Sequence, residues 1–151
     1  MCEVIRFGRG EGYGAYQHER ICIWSLDVHT RRLRSVVAGP HDAGDFNIAP
    51  DGKSIVYIMG YDAEAPWFST SKKFDLYRLD LGAREAVRLT ESPGTNLNPR
   101  YSPDGQWLAY RSSPRRGSHN DVMRLMALSL KSGESRCLTP DFKYSPDALS
   151  Q

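Results

Sequence analysis

A short phrase occurs twice in this chain, and its recurrence limits the fold more than any other feature. Ala49-Pro50-Asp51-Gly52 returns as Ser102-Pro103-Asp104-Gly105, 53 residues later. The surroundings keep step: Ile48 with Tyr101, Ile55 with Leu108, Tyr57 with Tyr110. Downstream, Leu76-Tyr77-Arg78-Leu79-Asp80-Leu81 matches Leu125-Met126-Ala127-Leu128-Ser129-Leu130, and Leu89-Thr90 matches Leu138-Thr139, now at an offset of 49. One loop of the second copy is therefore shorter by four residues. A partial copy comes first: Ile23-Trp24-Ser25-Leu26-Asp27-Val28 stands 53 residues before the Leu76 segment, and Val36-Val37 stands 53 before Leu89-Thr90. Such a period belongs to stacked units, each burying its faces only against the next.

Each copy reads as four short strands. The first is expected at 45–49 and 98–102. Pro-Asp-Gly then turns the chain: Pro fixes φ, Asp can bond the backbone two residues on, and Gly takes positive φ. Pro50, Asp51 and Gly52, with Pro103, Asp104 and Gly105, are thus read as structural turns. The second strand, at 54–58 and 107–111, is rich in β-branched and aromatic residues. The third, at 76–81 and 125–130, is too densely apolar for one buried face, which suits a strand covered on both sides. The fourth ends in Leu-Thr. No segment sustains a 3.6-residue period, so no long helix is expected. The fold class is all-β: an incomplete β-propeller of about two and a half four-stranded antiparallel blades. Its expected parts are the second half of a blade at 1–40, blades at 45–91 and 98–140, and a linker toward a further blade at 141–151. Rings close with roughly four to eight blades, so open blade faces are expected, with Ile23, Leu26 and Val28 uncovered at one end and Leu125, Leu128 and Leu130 at the other, and self-association through them.

Composition narrows the partners. Twenty Lys and Arg against eighteen Asp and Glu leave a net charge of +2, too little to point to nucleic acid or an anionic membrane. No apolar run approaches a membrane span, and the start carries no readable signal peptide. A cytoplasmic location is expected, or a periplasmic one if the natural start lies upstream. Cys2, Cys22 and Cys137 have no metal-ligand spacing and read as free thiols. His18, His29, His41 and His119 are isolated, and neither metal nor cofactor is expected. Gly8-Arg9-Gly10-Glu11-Gly12 lacks the strand before and the helix after that a phosphate cradle needs.

Pro66-Trp67-Phe68-Ser69-Thr70 followed by Phe74-Asp75-Leu76-Tyr77 resembles the loop and third strand of propellers in the prolyl oligopeptidase family of serine peptidases, on its bacterial dipeptidyl-peptidase and acylaminoacyl-peptidase-like branch. Asn96-Leu97-Asn98-Pro99-Arg100-Tyr101-Ser102-Pro103-Asp104-Gly105, then Asp121 to Met126, then Leu138-Thr139-Pro140-Asp141-Phe142 are similar again. The Pro-Asp-Gly and Leu-Thr elements are shared with TolB-type propellers. At Ser145-Pro146-Asp147 the pattern departs, because Ala148 stands where Gly is needed.

The resemblance implies an α/β-hydrolase domain as partner, a peptide substrate, and a gating role for the propeller. That hydrolase would carry Ser, Asp and His, with the Ser in Gly-x-Ser-x-Gly. This sequence contains no Gly-x-Ser-x-Gly, so no catalytic residue is assigned and the chain alone is not expected to hydrolyse peptides. Trp67 and Phe68 border the long loop and are candidates for substrate contact, although packing on the blade edge would also explain them. Arg115 and Arg116 sit in a polar loop and are candidates for holding a substrate carboxylate, or form a solvated tip. Asp121 and Arg124 read as a local ion pair. The competing reading is a TolB-like protein-binding propeller with no enzymatic role.

Overall fold

The computed structural model describes the backbone of residues 2–7 and all atoms of 21–60, 73–114 and 122–144. These residues form eleven strands and no helix. The strands are β1 (Cys2–Phe7), β2 (Cys22–Asp27), β3 (Arg32–Val37), β4 (Ala43–Ile48), β5 (Ser54–Gly60), β6 (Phe74–Asp80), β7 (Val87–Arg88), β8 (Asn96–Tyr101), β9 (Trp107–Ser112), β10 (Arg124–Ser129) and β11 (Ser135–Cys137). They make three antiparallel meanders, β1-β2-β3, β4-β5-β6-β7 and β8-β9-β10-β11. The chain is thus all-β with open, unclosed sheets, as the doubled pattern requires. The first sheet has one strand more than the half-blade expected over 1–40, since β1 pairs with β2 from Cys2↔Asp27 to Phe7↔Cys22. Cys2–Phe7 stands 53 residues before Ile55–Gly60 and pairs antiparallel with β2, as β5 does with β6, but only Ile5 repeats as Ile58, too little likeness to mark the strand.

The middle sheet is covered on both faces. Ile55 and Tyr57 of β5 join Ile23, Ala43, Tyr77 and Leu79 in one cluster toward the first sheet. Val56 and Ile58, pointing the other way, join Phe74, Leu76, Leu108, Tyr110 and Leu128 in a second cluster toward the third sheet. Successive side chains on a strand take opposite faces, so a doubly covered strand must be apolar at every position. Ile55-Val56-Tyr57-Ile58 is that stretch, and the buried Ser54 before it bonds its hydroxyl to Tyr101. Burying one such aliphatic side chain contributes about 1.5–3 kcal/mol.

Parity also corrects which residues border the open ends. Ile23, Leu26 and Val28 at one end, and Leu125, Leu128 and Leu130 at the other, were the expected uncovered residues. Ile23 is fully buried and Leu128 nearly so, both between sheets. Leu130 packs against the same cluster as Leu128. Leu128 is three residues from Leu125, an odd step, so the two point to opposite faces.

Candidate functional site

The two Pro-Asp-Gly turns lie side by side on one rim. In each, a glycine N–H closes the turn: Gly52 N donates to Ala49 O and Gly105 N to Ser102 O, both at 2.8 Å. Asp51 Oδ1 accepts the Lys53 N–H at 2.9 Å, and Asp104 Oδ1 accepts the Gln106 N–H at 3.0 Å. Ser102 Oγ also donates to Asp104 and accepts the Trp107 N–H at 3.0 Å. The Ser102 hydroxyl and the Gln106 N–H hold the Asp104 carboxyl below the usual carboxylate range. A groove of about 170 Å3 runs between the turns, lined by Pro50, Asp51, Ser54, Arg78, Tyr101 and Asp104 among others. Asp51 and Asp104 spend lone pairs on the backbone there. The arrangement fixes the turns rather than forming an acid–base pair.

The first strands of neighbouring sheets are stitched together. Asp45 and Asn98, 53 residues apart, both take positive φ (44° and 52°), each inside a register shift. Asp45 Oδ2 accepts the Asn98 N–H at 3.1 Å and Asn98 Nδ2 at 2.6 Å. Arg111 donates to Asn98 Oδ1 at 3.2 Å. Two residues beyond Asp45 and three beyond Asn98, Asn47 Oδ1 accepts the Tyr101 N–H at 2.9 Å, and the Tyr101 hydroxyl meets Ser54 Oγ at 3.2 Å. Burial raises the Tyr101 phenol, opposed by the Ser54 bond. A bulge re-aims the side chain it carries, and here the re-aimed carboxylate reaches across to the next sheet.

The opposite rim holds a buried polar knot. Asp75 is fully buried. It accepts from Arg88 at 2.7 Å, Thr90 Oγ1 at 3.0 Å and Asn96 Nδ2 at 2.9 Å, with Lys73 Nζ 3.6 Å away. Asn96 donates as well to Ser92 Oγ at 2.9 Å, and Asp75 in turn holds the Arg88 guanidinium protonated to higher pH than usual. Thr90 Oγ1 accepts the Leu76 N–H and Thr139 Oγ1 the Leu125 N–H, each at 2.9 Å. The Thr of Leu-Thr thereby caps an amide of the third strand in both copies.

Trp67, Phe68, Arg115, Arg116 and Asp121 lie outside the described residues. The segment bearing Trp67 and Phe68 connects Gly60 to Phe74, and these two are paired at the rim away from the Pro-Asp-Gly turns. Arg124, expected to pair with Asp121, donates to the backbone oxygens of Thr139, at 3.1 Å, and of Phe142. Sequence reasoning missed Asp45 and Asn98, although both stand at the repeat offset. It also missed Asp75 and Asn96, whose repeat equivalent for Asp75 is Arg124, so no recurrence pointed to them. Among the described residues, no group of His, Cys, Asp and Glu is arranged to hold a metal ion.

No family model matches the chain. Dipeptidyl-peptidase 5 of Porphyromonas gingivalis is 30% identical over 106 residues, covering 70% of this chain and 15% of that protein. Dipeptidyl-peptidase 5 of Porphyromonas endodontalis is 36% identical over 91 residues, 59% of this chain and 13% of that protein. The chain therefore spans a small fraction of these curated relatives. Among solved structures, TolB from Acinetobacter baumannii superposes with a TM-score of 0.61 at 19% identity, over 92% of this chain and 30% of that one. The sheets and this superposition define an open segment of a β-propeller of TolB-like fold. In sequence the segment is similar to part of dipeptidyl-peptidase 5 of two Porphyromonas species.

Proposed function

We propose that the chain is the substrate-gating propeller segment of a prolyl oligopeptidase-like serine peptidase acting on peptides in the cytoplasm. Its partner would be an α/β-hydrolase domain of the same parent chain. The observation that carries this reading is the 30% identity to a dipeptidyl-peptidase across 106 residues, 70% of this chain. The absence of Gly-x-Ser-x-Gly from the 151 residues fits a division of labour in which the nucleophile belongs to the hydrolase domain. Within that arrangement the rim of Gly60 and Phe74, from which the long loop springs, faces the hydrolase cavity. Trp67, Phe68, Arg115 and Arg116 then contact the peptide. Where the neighbouring sheets are missing, the open faces associate with one another.

The test is to extend the reading frame downstream, express the longer protein, and assay release of dipeptides from chromogenic substrates. A Gly-x-Ser-x-Gly followed by Asp and His, with dipeptide release, supports the reading. A frame that encodes further sheets and no hydrolase overturns it in favour of a TolB-like binding propeller, which the fold alone fits equally well.

A further inference from the structure

The outward face of the third sheet differs in kind from the corresponding face of the second. On the second sheet that face carries Asn47, Val56, Ile58 and Leu76, in register as Asn47↔Val56 and Ile58↔Leu76. It is covered by β8, which packs across β4, β5 and β6. Asn47 accepts the Tyr101 N–H, and the three aliphatic residues enter the shared cluster. On the third sheet the equivalent positions are Arg100, Ala109, Arg111 and Leu125, in register as Arg100↔Ala109 and Arg111↔Leu125. Their parity is opposite to that of Leu108, Tyr110 and Leu128, so they look away from the second sheet.

An acceptor has thus become a donor, and an isoleucine has become a cation. Arg100 spends one nitrogen on Pro99 O at 2.8 Å, and Arg111 one on Asn98 Oδ1. The Nε of each is buried without a hydrogen-bond partner. Arginine has no acceptor to offer. A strand like β8 laid on this face would leave its Tyr N–H unsatisfied and would bury two guanidinium groups against aliphatic side chains, both unfavourable. A carboxylate would satisfy both, because guanidinium and carboxylate pair through parallel N–H···O bonds.

We propose that this face docks a strand bearing a carboxylate, the first strand of a following sheet in the parent chain, held by Arg100 and Arg111. The proposal rests on the reading of the chain as a piece of a longer propeller. Contacts between successive sheets are then not interchangeable: the second-to-third contact is apolar and amide-coded, and the next is charge-coded.

The experiment appends a second copy of residues 96–144 directly after Tyr144, which keeps the spacing from Thr139 equal to that from Thr90 to Asn96. Three fusions are compared with the parent chain by thermal midpoint and amide exchange. The first carries the unaltered copy. The second carries the Leu97→Glu change in the copy only, Leu97 being, with Tyr101, one of the two β8 residues that pack on the apolar cluster. The third carries the unaltered copy on a receiving sheet changed by Arg100→Asn and Arg111→Ile. The second and third should dock, raising the midpoint by roughly 4 °C or more and protecting amides of the copied first strand. The first should not. Equal docking of the first and second overturns the charge code while leaving sheet stacking intact. Docking of the third alone overturns the carboxylate. Failure of all three overturns stacking itself, and the proposal with it.

Discussion

Gly52 and Gly105 sit at φ of 69° and 67°, where a β-branched side chain is strained. Gly52→Val and Gly105→Val should each destabilise by roughly 1–3 kcal/mol, read from the urea midpoint. The two should cost about the same, because the strain lies in φ: a Cβ meets nothing within 4 Å at Gly52 and only an ordinary contact, Pro50 Cδ at 3.7 Å, at Gly105. Asp75 gives a second test. Asp75→Asn removes the charge facing Arg88 and Lys73 but keeps the shape, and should cost roughly 2–4 kcal/mol, since breaking a buried pair strands the remaining partner. Tyr57 sets the alkaline limit. Burial, with Tyr77 adjoining, pushes its phenol from 10.0 up to about 12. The folded state therefore favours the neutral ring. That contribution is whole below pH ~10 and is lost as pH rises through 12. Asp104 works in the opposite sense, its lowered pKa adding stability above the ordinary carboxylate range and losing it as pH falls. A Tyr57→Phe variant should hold its melting temperature between pH 10 and 12 better than the parent does.

The element scale turns on the Leu-Thr ending. Thr90 and Thr139 cap the same amide in successive sheets, but only Thr90 also donates to a buried carboxylate and accepts from Asn96. Thr90→Val should therefore cost roughly 2–3 kcal/mol and Thr139→Val about 1 kcal/mol, by the difference between a buried network and a single bond. The Leu76 segment was legible as a doubly covered strand because its apolar density left no polar face, and Leu76 and Leu79 do face opposite clusters. The fourth strands were readable only by their ends. β7 is two residues long and β11 three, too short for any period to register. The bulges at Asp45 and Asn98 escaped notice because a positive φ at a non-glycine residue leaves almost no compositional trace; Asp and Asn merely tolerate it.

At the scale of the molecule, recurrence together with the absence of a 3.6-residue period made the all-β propeller class legible, since stacked sheets then account for the period. Contacts between copies were not legible, because they join residues a full repeat apart: Asp45 to Asn98, Asn47 to Tyr101. Among the described residues nothing covers the outward face of either outer sheet, while Ile23 and Leu128 are already sealed inside. Light scattering on the purified chain should show self-association, and an environment-sensitive dye should bind. Addition of flanking sheets should raise the melting temperature and abolish the dye signal. A monodisperse, dye-silent monomer would show that the uncovered faces tolerate water. A fluorophosphonate probe should leave every serine of the chain unlabelled, since none follows the elbow pattern that exposes and activates a nucleophile.

The doubly covered β5 has a bearing on how this chain can vary. A strand with one wet face alternates between permissive and strict positions, whereas one pressed on both sides has no permissive position. In a saturation scan, β5 should reject polar replacements from Ile55 through Ile58 without a rhythm, while β9 should accept them at every second residue, at Trp107, Ala109 and Arg111. Performed again inside a longer protein, the same scan becomes a map of neighbours. Wherever the rhythm of β9 flattens, another sheet has been laid on it.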